Sequence, residues 1–258
     1  CIRDRSENWT LTNLTQDADL DGIEDDDDDC PNTYGRSTVD RVGCPDTDND
    51  GYSNQDSSWT LANGADAFPA EPTQWADGDY DGYGDNAVGF QPDACTSVAG
   101  TSTQDRFGCI DSDGDGWSDP GGGYTVESGA DACDDVLGAS WRDRNGCADE
   151  DGDGASDPDP TGASSSNGSA WDVTDGADAF LGDDTQWVDT DGDGYGDNPA
   201  PATDPDGCPT QFGDSTADRL GCPDTDGDTY SDPDSGFTAA NGADAFPNEA
   251  SQLSLIHI

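Results

Sequence analysis

The chain contains no lysine, no methionine and a single histidine, and its large apolar residues are scarce. Leucine, isoleucine, valine and phenylalanine together account for 29 of the 258 residues, so a large apolar core is out of reach. With no lysine, and with too little apolar material to keep a carboxyl group neutral, the sequence offers few groups for acid–base or nucleophilic catalysis. We therefore expect the protein not to be an enzyme.

Long apolar runs are missing as well. No segment approaches the roughly 20 apolar residues that cross a bilayer, and a formal net charge of −51 repels phosphate groups and attracts cations. These properties predict that the protein neither binds nucleic acid nor inserts directly into a membrane. Composition of this kind is typical of disordered chains, unless something else imposes order.

Nine cysteines and seven tryptophans argue against disorder, because a flexible acidic tail has no use for them. Cysteine at this level indicates structural disulfides and an oxidising compartment, so we expect an extracellular or cell-surface location. Eight of the cysteines form four pairs with the same separation of 14 residues. This spacing predicts the bridges Cys30–Cys44, Cys95–Cys109, Cys133–Cys147 and Cys208–Cys222. Cys1 is left over, and we expect its partner to precede residue 1.

The pattern D-x-D-x-D occurs seven times in one register, and in six of the seven the next residue is glycine. Thr229 takes the place of that glycine in the last repeat. Such a register is far beyond chance in a chain of this composition and defines a repeat. The seven acidic loops, numbered 1 to 7 along the chain, begin at Asp17, Asp46, Asp77, Asp111, Asp149, Asp189 and Asp224.

The residue types in these loops are those of a calcium-binding loop. Side chains at positions 1, 3, 5 and 9 and the carbonyl at position 7 can converge on one ion, and a glycine at position 6 permits the sharp turn. Hard oxygen ligands without imidazole or thiolate favour Ca²⁺ over zinc or copper. The predicted ligands are Asp17, Asp19, Asp21, Ile23 and Asp25; Asp46, Asp48, Asp50, Tyr52 and Asn54; Asp77, Asp79, Asp81, Tyr83 and Asp85; Asp111, Asp113, Asp115, Trp117 and Asp119; Asp149, Asp151, Asp153, Ala155 and Asp157; Asp189, Asp191, Asp193, Tyr195 and Asp197; and Asp224, Asp226, Asp228, Tyr230 and Asp232.

A last ligand closes each loop. Position 12 of loop 1 is an aspartate, and in the other loops we expect the closing aspartate to arrive after an insertion. The seven closing aspartates are Asp28, Asp66, Asp93, Asp131, Asp178, Asp206 and Asp244. An EF-hand would close with glutamate between two helices, whereas Gly, Asp, Pro and Ser around these loops disfavour helices.

Three further features recur around the closing aspartates. Four insertions carry an aromatic residue seven places before the closing aspartate, which we interpret as a short strand or hairpin arm whose ring packs on the loop: Trp59, Tyr124, Trp171 and Phe237. Two places after the closing aspartate stands either a cysteine or, in three repeats, a phenylalanine that we expect to be a buried substitute for the bridge: Phe68, Phe180 and Phe246. Four arginines precede the second cysteine of each pair and are expected to bridge carboxylates within the disulfide loop: Arg41, Arg106, Arg144 and Arg219.

The run DADLDGIEDDDDDC (17–30), followed by CPNTYGRSTVDRVGC (30–44), resembles thrombospondin type 3 repeats, in particular the bacterial form found beside OmpA-type domains. The first run matches the family pattern D-x-D-x-D-G-x-x-D-x-x-D-x-C without a gap. The resemblance extends over residues 17–252, with insertions in the later loops. It implies an extracellular calcium-binding array with little regular secondary structure and no catalysis.

The two ends differ from the repeats. Residues 1–16 are expected to be the remnant of a truncated repeat, and 17–252 contain the seven loops. The last six residues, LSLIHI (253–258), resemble the translated end of a sequencing-library transposon, and the repeat spacing predicts Trp where Leu253 stands. We expect this tail, with His257, to be foreign to the protein.

Taken together, the sequence predicts a mostly irregular, calcium-stabilised repeat array, elongated and disulfide-stapled, with short β-hairpins and essentially no α-helix. The predicted function is that of a calcium-binding structural spacer in a secreted or cell-surface protein. Two alternatives stay open: a self-assembling filament subunit or calcium-dependent adhesin, and the linker of a secreted enzyme or cell-wall-binding protein. Besides calcium ions, the partners would be other surface proteins, glycans or copies of the chain.

Overall fold

The computed structural model describes residues 16–160 and 170–252, and the predicted remnant at 1–16, apart from its last residue, and the tail at 253–258 lie outside them. The chain divides into two compact units, residues 1–110 and 111–258, with loops 1 to 3 in the first and loops 4 to 7 in the second. Within the described residues the only helices are two 3-10 helices of three residues each, Leu61–Asn63 and Val126–Ser128. The expected absence of α-helix is confirmed for this part of the chain.

Strand pairing in 16–160 and 170–252 is limited to isolated bridges. Three bridges are parallel and join an acidic loop to the end of its own insertion: Asn54–Asp66, Gly84–Pro92 and Gly196–Pro205. The predicted short hairpins are represented by one antiparallel bridge, Gly121–Tyr124. Glycine, proline and aspartate at high density leave too few consecutive extended residues for a ladder.

All seven acidic loops fold into the same turn around their first aspartate. One carboxylate oxygen of Asp17 accepts the N–H of Leu20 (2.7 Å), and the other accepts the N–H of Gly22 (3.2 Å). The same two hydrogen bonds recur in loops 2 to 7. They force position 6 into the left-handed region, with φ between +95° and +102° at the six glycines and 82° at Thr229. Loop 7 therefore makes the turn without its glycine.

The four predicted disulfides are confirmed, with Cα–Cα distances of 5.0 to 5.1 Å. Each disulfide loop encloses a completely buried serine, seven residues after its first cysteine. The hydroxyl of Ser37 accepts the N–H of Cys44 (2.9 Å) and donates to the carbonyl of the same residue (3.0 Å). The four serines satisfy backbone groups that the irregular chain would otherwise bury unpaired; they are Ser37, Ser102, Ser140 and Ser215.

A single tight turn follows every closing aspartate, whether a cysteine or a phenylalanine comes next. The carbonyl of Cys30 accepts the N–H of Thr33 (2.8 Å), and the carbonyl of Phe68 accepts the N–H of Glu71 at the same distance. The backbone therefore makes the same turn whether cysteine or phenylalanine occupies this position. The expected burial of the phenylalanine ring is wrong, since Phe246 is 44% exposed and Phe68 and Phe180 are half-buried. These rings lie at the surface because the described residues form no sheet or α-helix that could cover them.

Two buried glutamines tie the phenylalanine-type segments to the next acidic loop. The side chain of Gln74, 1% exposed, donates to the carbonyls of Asn86 and Phe90 (both 3.1 Å) and accepts the N–H of Asn86 (2.9 Å). Gln186 makes the equivalent bonds to Asn198 and Thr203. A fully satisfied buried amide of this kind rigidifies the backbone around it. The glutamines hold loops 3 and 6 where no disulfide precedes them.

The interior contains no large apolar side chain among the described residues. The buried apolar residues are cysteine and alanine, accompanied by buried serine, glutamine and aspartate. Four of the alanines stand directly before a closing aspartate: Ala65, Ala130, Ala177 and Ala243. Order therefore comes from disulfides and hydrogen-bonded serine and glutamine side chains rather than from an apolar core.

Replacing Thr229 by glycine should stabilise loop 7. A β-branched residue in the left-handed region is strained, and Thr229 is exposed, so that little packing is lost with its side chain. We expect a gain of about 1 kcal/mol in the local opening free energy, measured by hydrogen exchange of the Tyr230 amide. The reverse change in loop 6, Gly194→Thr, should cost a similar amount. Unchanged or faster exchange in Thr229→Gly would contradict the strain argument.

Candidate metal centres

Each candidate metal centre begins with three aspartates at positions 1, 3 and 5. Seven groups of acidic residues have carboxylate oxygens within 4.8 Å of one another, and they include Asp17–Asp19–Asp21 and Asp149–Asp151–Asp153. The spacing follows from the turn around position 1, because alternate side chains of a tight loop face its centre. Several of these aspartate triplets could hold a metal ion.

The structure brings every closing aspartate into the interior, with exposures from 1 to 9%. After an insertion, its backbone N–H bonds the carbonyl at position 8 of its own acidic loop: Asp66 to Ser53 (2.9 Å) and Asp93 to Gly84 (2.8 Å). The same bond recurs at Asp131, Asp178, Asp206 and Asp244. In loop 1, which has no insertion, the position 8 carbonyl of Glu24 accepts the N–H of Asp27. Each insertion therefore ends where it began, beside the position 8 carbonyl, which accepts the N–H of the closing aspartate.

One oxygen of each closing aspartate is held by a hydrogen bond, and in five of the seven the other oxygen has no partner. Oδ1 of Asp66 accepts the N–H of Phe68 (2.8 Å), and Oδ1 of Asp131 accepts that of Cys133 (2.7 Å). All seven closing aspartates make this bond two residues downstream. The second oxygen is buried without a hydrogen-bond partner at Asp28, Asp66, Asp93, Asp131 and Asp206.

Buried oxygens without partners are also found at position 3. Both carboxylate oxygens of Asp79, Asp191 and Asp226 are in this state, as is one oxygen in each of loops 1, 2, 4 and 5. An unpaired buried carboxylate oxygen is costly and rare, so its recurrence at equivalent places in every loop calls for a cation. The donor set fits a hard metal ion, because it consists of carboxylate oxygens.

Burial also shifts the ionisation of the closing aspartates. It raises the pKa of Asp66, Asp93, Asp178 and Asp206 to about 6 and that of Asp131 to about 7. The neighbouring carboxylates at positions 3 and 5 raise the pKa further, whereas the bound backbone N–H opposes the shift. Without a cation, these five centres therefore resist carrying all their negative charges at neutral pH.

The predicted ligands at positions 7 and 9 differ in how the structure places them. The carbonyls of Ile23, Tyr52, Tyr83, Trp117, Ala155 and Tyr195 accept no hydrogen bond from the other described residues, which leaves them open to an ion. The side chain at position 9 instead bonds position 2 of its own loop. Asp197 accepts the N–H and hydroxyl of Thr190 (3.2 and 2.5 Å), and Asp232 does the same with Thr225. The side chain at position 9 thus links the end of the acidic loop to its beginning. The aspartate triplets consist of positions 1, 3 and 5.

The arginines contact groups outside their own disulfide loops, so the expected bridging within each loop is wrong for three of the four. Arg41 pairs with Asp56 (2.8 Å), Arg144 with Asp159 (3.0 Å) and Arg219 with Asp234 (2.6 Å). Each carboxylate belongs to the insertion of the following acidic loop. The carboxylate next to each arginine within the disulfide loop instead accepts the N–H and hydroxyl of the position 8 serine, as Asp40 does from Ser53.

Position 8 was missed as a functional position, although the sequence carries a signal for it. It is a completely buried serine in the loops that follow a disulfide loop: Ser53, Ser118, Ser156 and Ser231. It is glycine in the two loops that follow a glutamine. A Cβ on Gly84 would lie 2.2 Å from the Gln74 side chain, and one on Gly196 would lie 2.1 Å from that of Gln186. The residue at position 8 therefore matches the segment that precedes the loop.

Four disulfides indicate an oxidising environment. Among the described residues, no helix has the length and apolarity to span a membrane. No protein-family model matches this chain, and no curated protein matches it. The functional interpretation therefore depends on the geometry of the loops.

In the metal-free protein, the fold should become more stable as the pH falls from about 7 to 5. Five closing aspartates, among them Asp66 and Asp131, have a folded pKa raised above the unfolded value of 3.8. The stability that they contribute is therefore fully present below pH 3.8 and is lost as the pH rises through about 6 to 7. Hydrogen exchange of the Cys133 amide in chelator-treated protein measures this effect.

Asp131→Asn provides the matched test, because the amide oxygen can still accept the Cys133 N–H without carrying charge. We expect this variant to exchange more slowly than the unchanged protein at pH 7 and to respond less to pH. Asp135→Asn removes the same charge from an exposed side chain and should not have this effect. If the protection of the Cys133 amide against exchange instead rose from pH 5 to pH 7, charge repulsion at the closing aspartate would be refuted as a source of instability.

Proposed function

We propose that the protein is a calcium-binding structural segment of a secreted or cell-surface protein, in which each acidic loop encloses one ion. The observation that supports this most directly is the buried, unpartnered oxygen of the closing aspartate. At Asp66, for example, Oδ1 is fixed by Phe68 while Oδ2 has no partner at 1% exposure. A bound cation would satisfy this oxygen and the adjacent position 3 carboxylate together.

The donor set favours Ca²⁺ among the common cations. Three loop carboxylates, a closing carboxylate and an open position 7 carbonyl supply only hard oxygen ligands, and the triplets contain no histidine or cysteine. Ca²⁺ accepts six to eight oxygens in flexible geometry, whereas Mg²⁺ demands an octahedron and gives up water reluctantly. Loops of irregular backbone with many carboxylates suit the flexible coordination of Ca²⁺ better than the strict octahedron of Mg²⁺.

In this proposal the ions supply the free energy that a small core cannot. Without metal, the carboxylates of one loop repel one another; with metal they are drawn together, so that binding free energy becomes folding free energy. Seven divalent ions, which carry 14 positive charges, would change the formal net charge from −51 to −37. The surface would stay acidic, as suits a spacer surrounded by water.

The proposed location and role agree with this chemistry. Sites in extracellular modules bind Ca²⁺ at about 10⁻⁴ to 10⁻³ M, a concentration met outside cells. The resemblance of residues 17–44 to thrombospondin type 3 repeats supports the same role, that of a calcium-stiffened segment between other parts of a surface protein. Catalysis has no part in the proposal, because the clustered carboxylates are assigned to metal binding.

Adding Ca²⁺ to chelator-treated protein should convert an expanded chain into a compact one. We expect the hydrodynamic radius to fall and the circular dichroism spectrum to change with Ca²⁺, and much less with Mg²⁺ at the same concentration, because Mg²⁺ retains its water. Both are measured across one titration at constant ionic strength, which separates binding from charge screening. A radius and spectrum that ignore Ca²⁺ would refute the proposal.

Disabling a single loop should leave distant loops intact. Asp191→Ala removes the position 3 carboxylate of loop 6, both of whose oxygens are buried without partners, so one ion should be lost from the total bound. Contacts along a repeat array run mainly between neighbours. We therefore expect the amide resonances of loops 1 and 2 to respond to Ca²⁺ as before.

Asp184→Ala is the control for that change, since it removes the same charge from an exposed side chain just before loop 6. It should preserve the full number of bound ions. Equilibrium dialysis gives the stoichiometry, and unfolding of the whole chain by Asp191→Ala would contradict the modular picture.

A further inference from the structure

Three arginines connect one acidic loop to the next through the same set of contacts. The guanidinium of Arg41 donates to the Ser53 hydroxyl (3.0 Å), to the Asn54 carbonyl (3.3 Å) and to Asp56 (2.8 Å), and it lies 5.2 Å from the Trp59 ring. Arg144 and Arg219 repeat the pattern with serine, a carbonyl, aspartate and an aromatic ring. Every contact is with position 8, position 9 or the insertion of the following loop.

On the other side, the residue that follows each arginine is hydrogen-bonded to the residue that follows a closing aspartate. The carbonyl of Val42, next to Arg41, accepts the N–H of Asp29, which directly follows the closing aspartate of loop 1 (2.9 Å). Gly43 packs so closely on Asp28 that a Cβ there would lie 2.2 Å from the carboxylate. The carbonyls that follow Arg144 and Arg219 accept equivalent bonds from Ala132 and Gly207. The backbone next to the arginine is thereby tied to the segment that carries one closing aspartate.

The groups held by the arginine side chain in turn position the next closing aspartate. Ser53 offers its carbonyl to the N–H of Asp66 (2.9 Å) while its hydroxyl and N–H are bound by Arg41 and Asp40. Ser156 and Ser231 are held in the same way, with Asp143 and Asp218 in the place of Asp40. A displacement of the serine would move the anchor to which the closing aspartate is bonded.

We propose that Arg41, Arg144 and Arg219 are positioning residues that couple calcium binding between adjacent loops, pairing loop 1 with loop 2, loop 4 with loop 5 and loop 6 with loop 7. This inference rests on the calcium binding proposed above. Filling the first loop of a pair fixes its closing aspartate and hence the arginine, and the arginine then holds the position 8 serine of the second loop in its binding conformation. Coupling is reciprocal, so the second ion stabilises the first to the same degree.

The strength of coupling should differ among the three pairs. The side chains of Arg144 and Asp159 are 9% and 12% exposed, whereas Asp56 and Asp234 are 41% and 47% exposed. Because solvent weakens an exposed ion pair, the pair formed by loops 4 and 5 should be the most strongly coupled. Arginine is required rather than lysine, since only its planar fork can reach the hydroxyl, the carbonyl and the carboxylate together.

The test uses the full chain and Ca²⁺ titrations followed by the amide resonances of Gly22 in loop 1 and Gly51 in loop 2. Arg41→Lys, which keeps the charge, should weaken the binding reported by Gly51 about fivefold or more. Arg36→Lys is the control, because Arg36 lies in the same disulfide loop and binds the Tyr34 hydroxyl. It should leave both midpoints unchanged.

Coupling itself is measured by a double-mutant cycle. Asp48→Ala, which disables loop 2, should also weaken binding at Gly22 when Arg41 is present and should have no effect on Gly22 in the Arg41→Lys background. If Arg41 had only a structural role, Arg41→Lys would shift the Ca²⁺ midpoint reported by Gly51, but Asp48→Ala would still weaken binding at Gly22. If Arg41→Lys prevents loop 2 from ordering, Asp56→Asn, which removes the ion pair alone, should show the same loss of coupling to a smaller degree.

The outcomes separate the two proposals. Calcium binding would stand and the coupling would be overturned by one result: saturable shifts at Gly22 and Gly51, with Asp48→Ala still weakening binding at Gly22 in both the Arg41→Lys and the Asp56→Asn backgrounds. Absence of any saturable shift in the unchanged protein would overturn calcium binding, and the coupling with it.

Discussion

Each acidic loop depends on keeping one aspartate close to others that repel it. The constraint is met by the backbone: the N–H of the closing aspartate is bonded to the carbonyl at position 8, and one of its carboxylate oxygens is bonded to the N–H two residues on. Both bonds recur in the loops with insertions, whatever the length of the insertion. Because these bonds use main-chain groups, the intervening sequence is free to vary as long as it returns to the same carbonyl.

The segments between loops follow from that constraint. A disulfide loop with its buried serine and a phenylalanine segment with its buried glutamine both begin with the same turn after the closing aspartate. They differ in what they present to the next loop. The arginine of the disulfide loop donates to a serine at position 8 of the next acidic loop. The glutamine of the phenylalanine segment occupies the space beside position 8, so that only glycine fits there, as at Gly84. The chain therefore combines covalent and purely hydrogen-bonded connections with one recurring acidic loop.

Much of this could be predicted from the sequence, because it depends on spacing. The seven-fold register and the four disulfides follow from residues that recur at fixed distances. The roles of Ser37 and Gln74 could not be predicted in this way, since serine and glutamine are common in loops and their burial becomes evident only when the chain is folded. Phe246 and Arg41 were misassigned for a related reason. A ring was expected to need burial and a cation to need its nearest carboxylate, whereas the backbone geometry decides both.

An interior built from alanine, cysteine, serine and aspartate also determines how the protein responds to temperature. Exposure of apolar surface raises the heat capacity on unfolding, and exposure of polar surface lowers it. Since the buried surface here is largely polar, the two contributions offset each other, and the heat-capacity change per residue should be well below that of ordinary globular domains. The curve of stability against temperature is then shallow. A segment held together by ions and polar contacts would keep nearly the same rigidity in cold and in warm surroundings, where a protein with an apolar core would lose part of its stability on cooling.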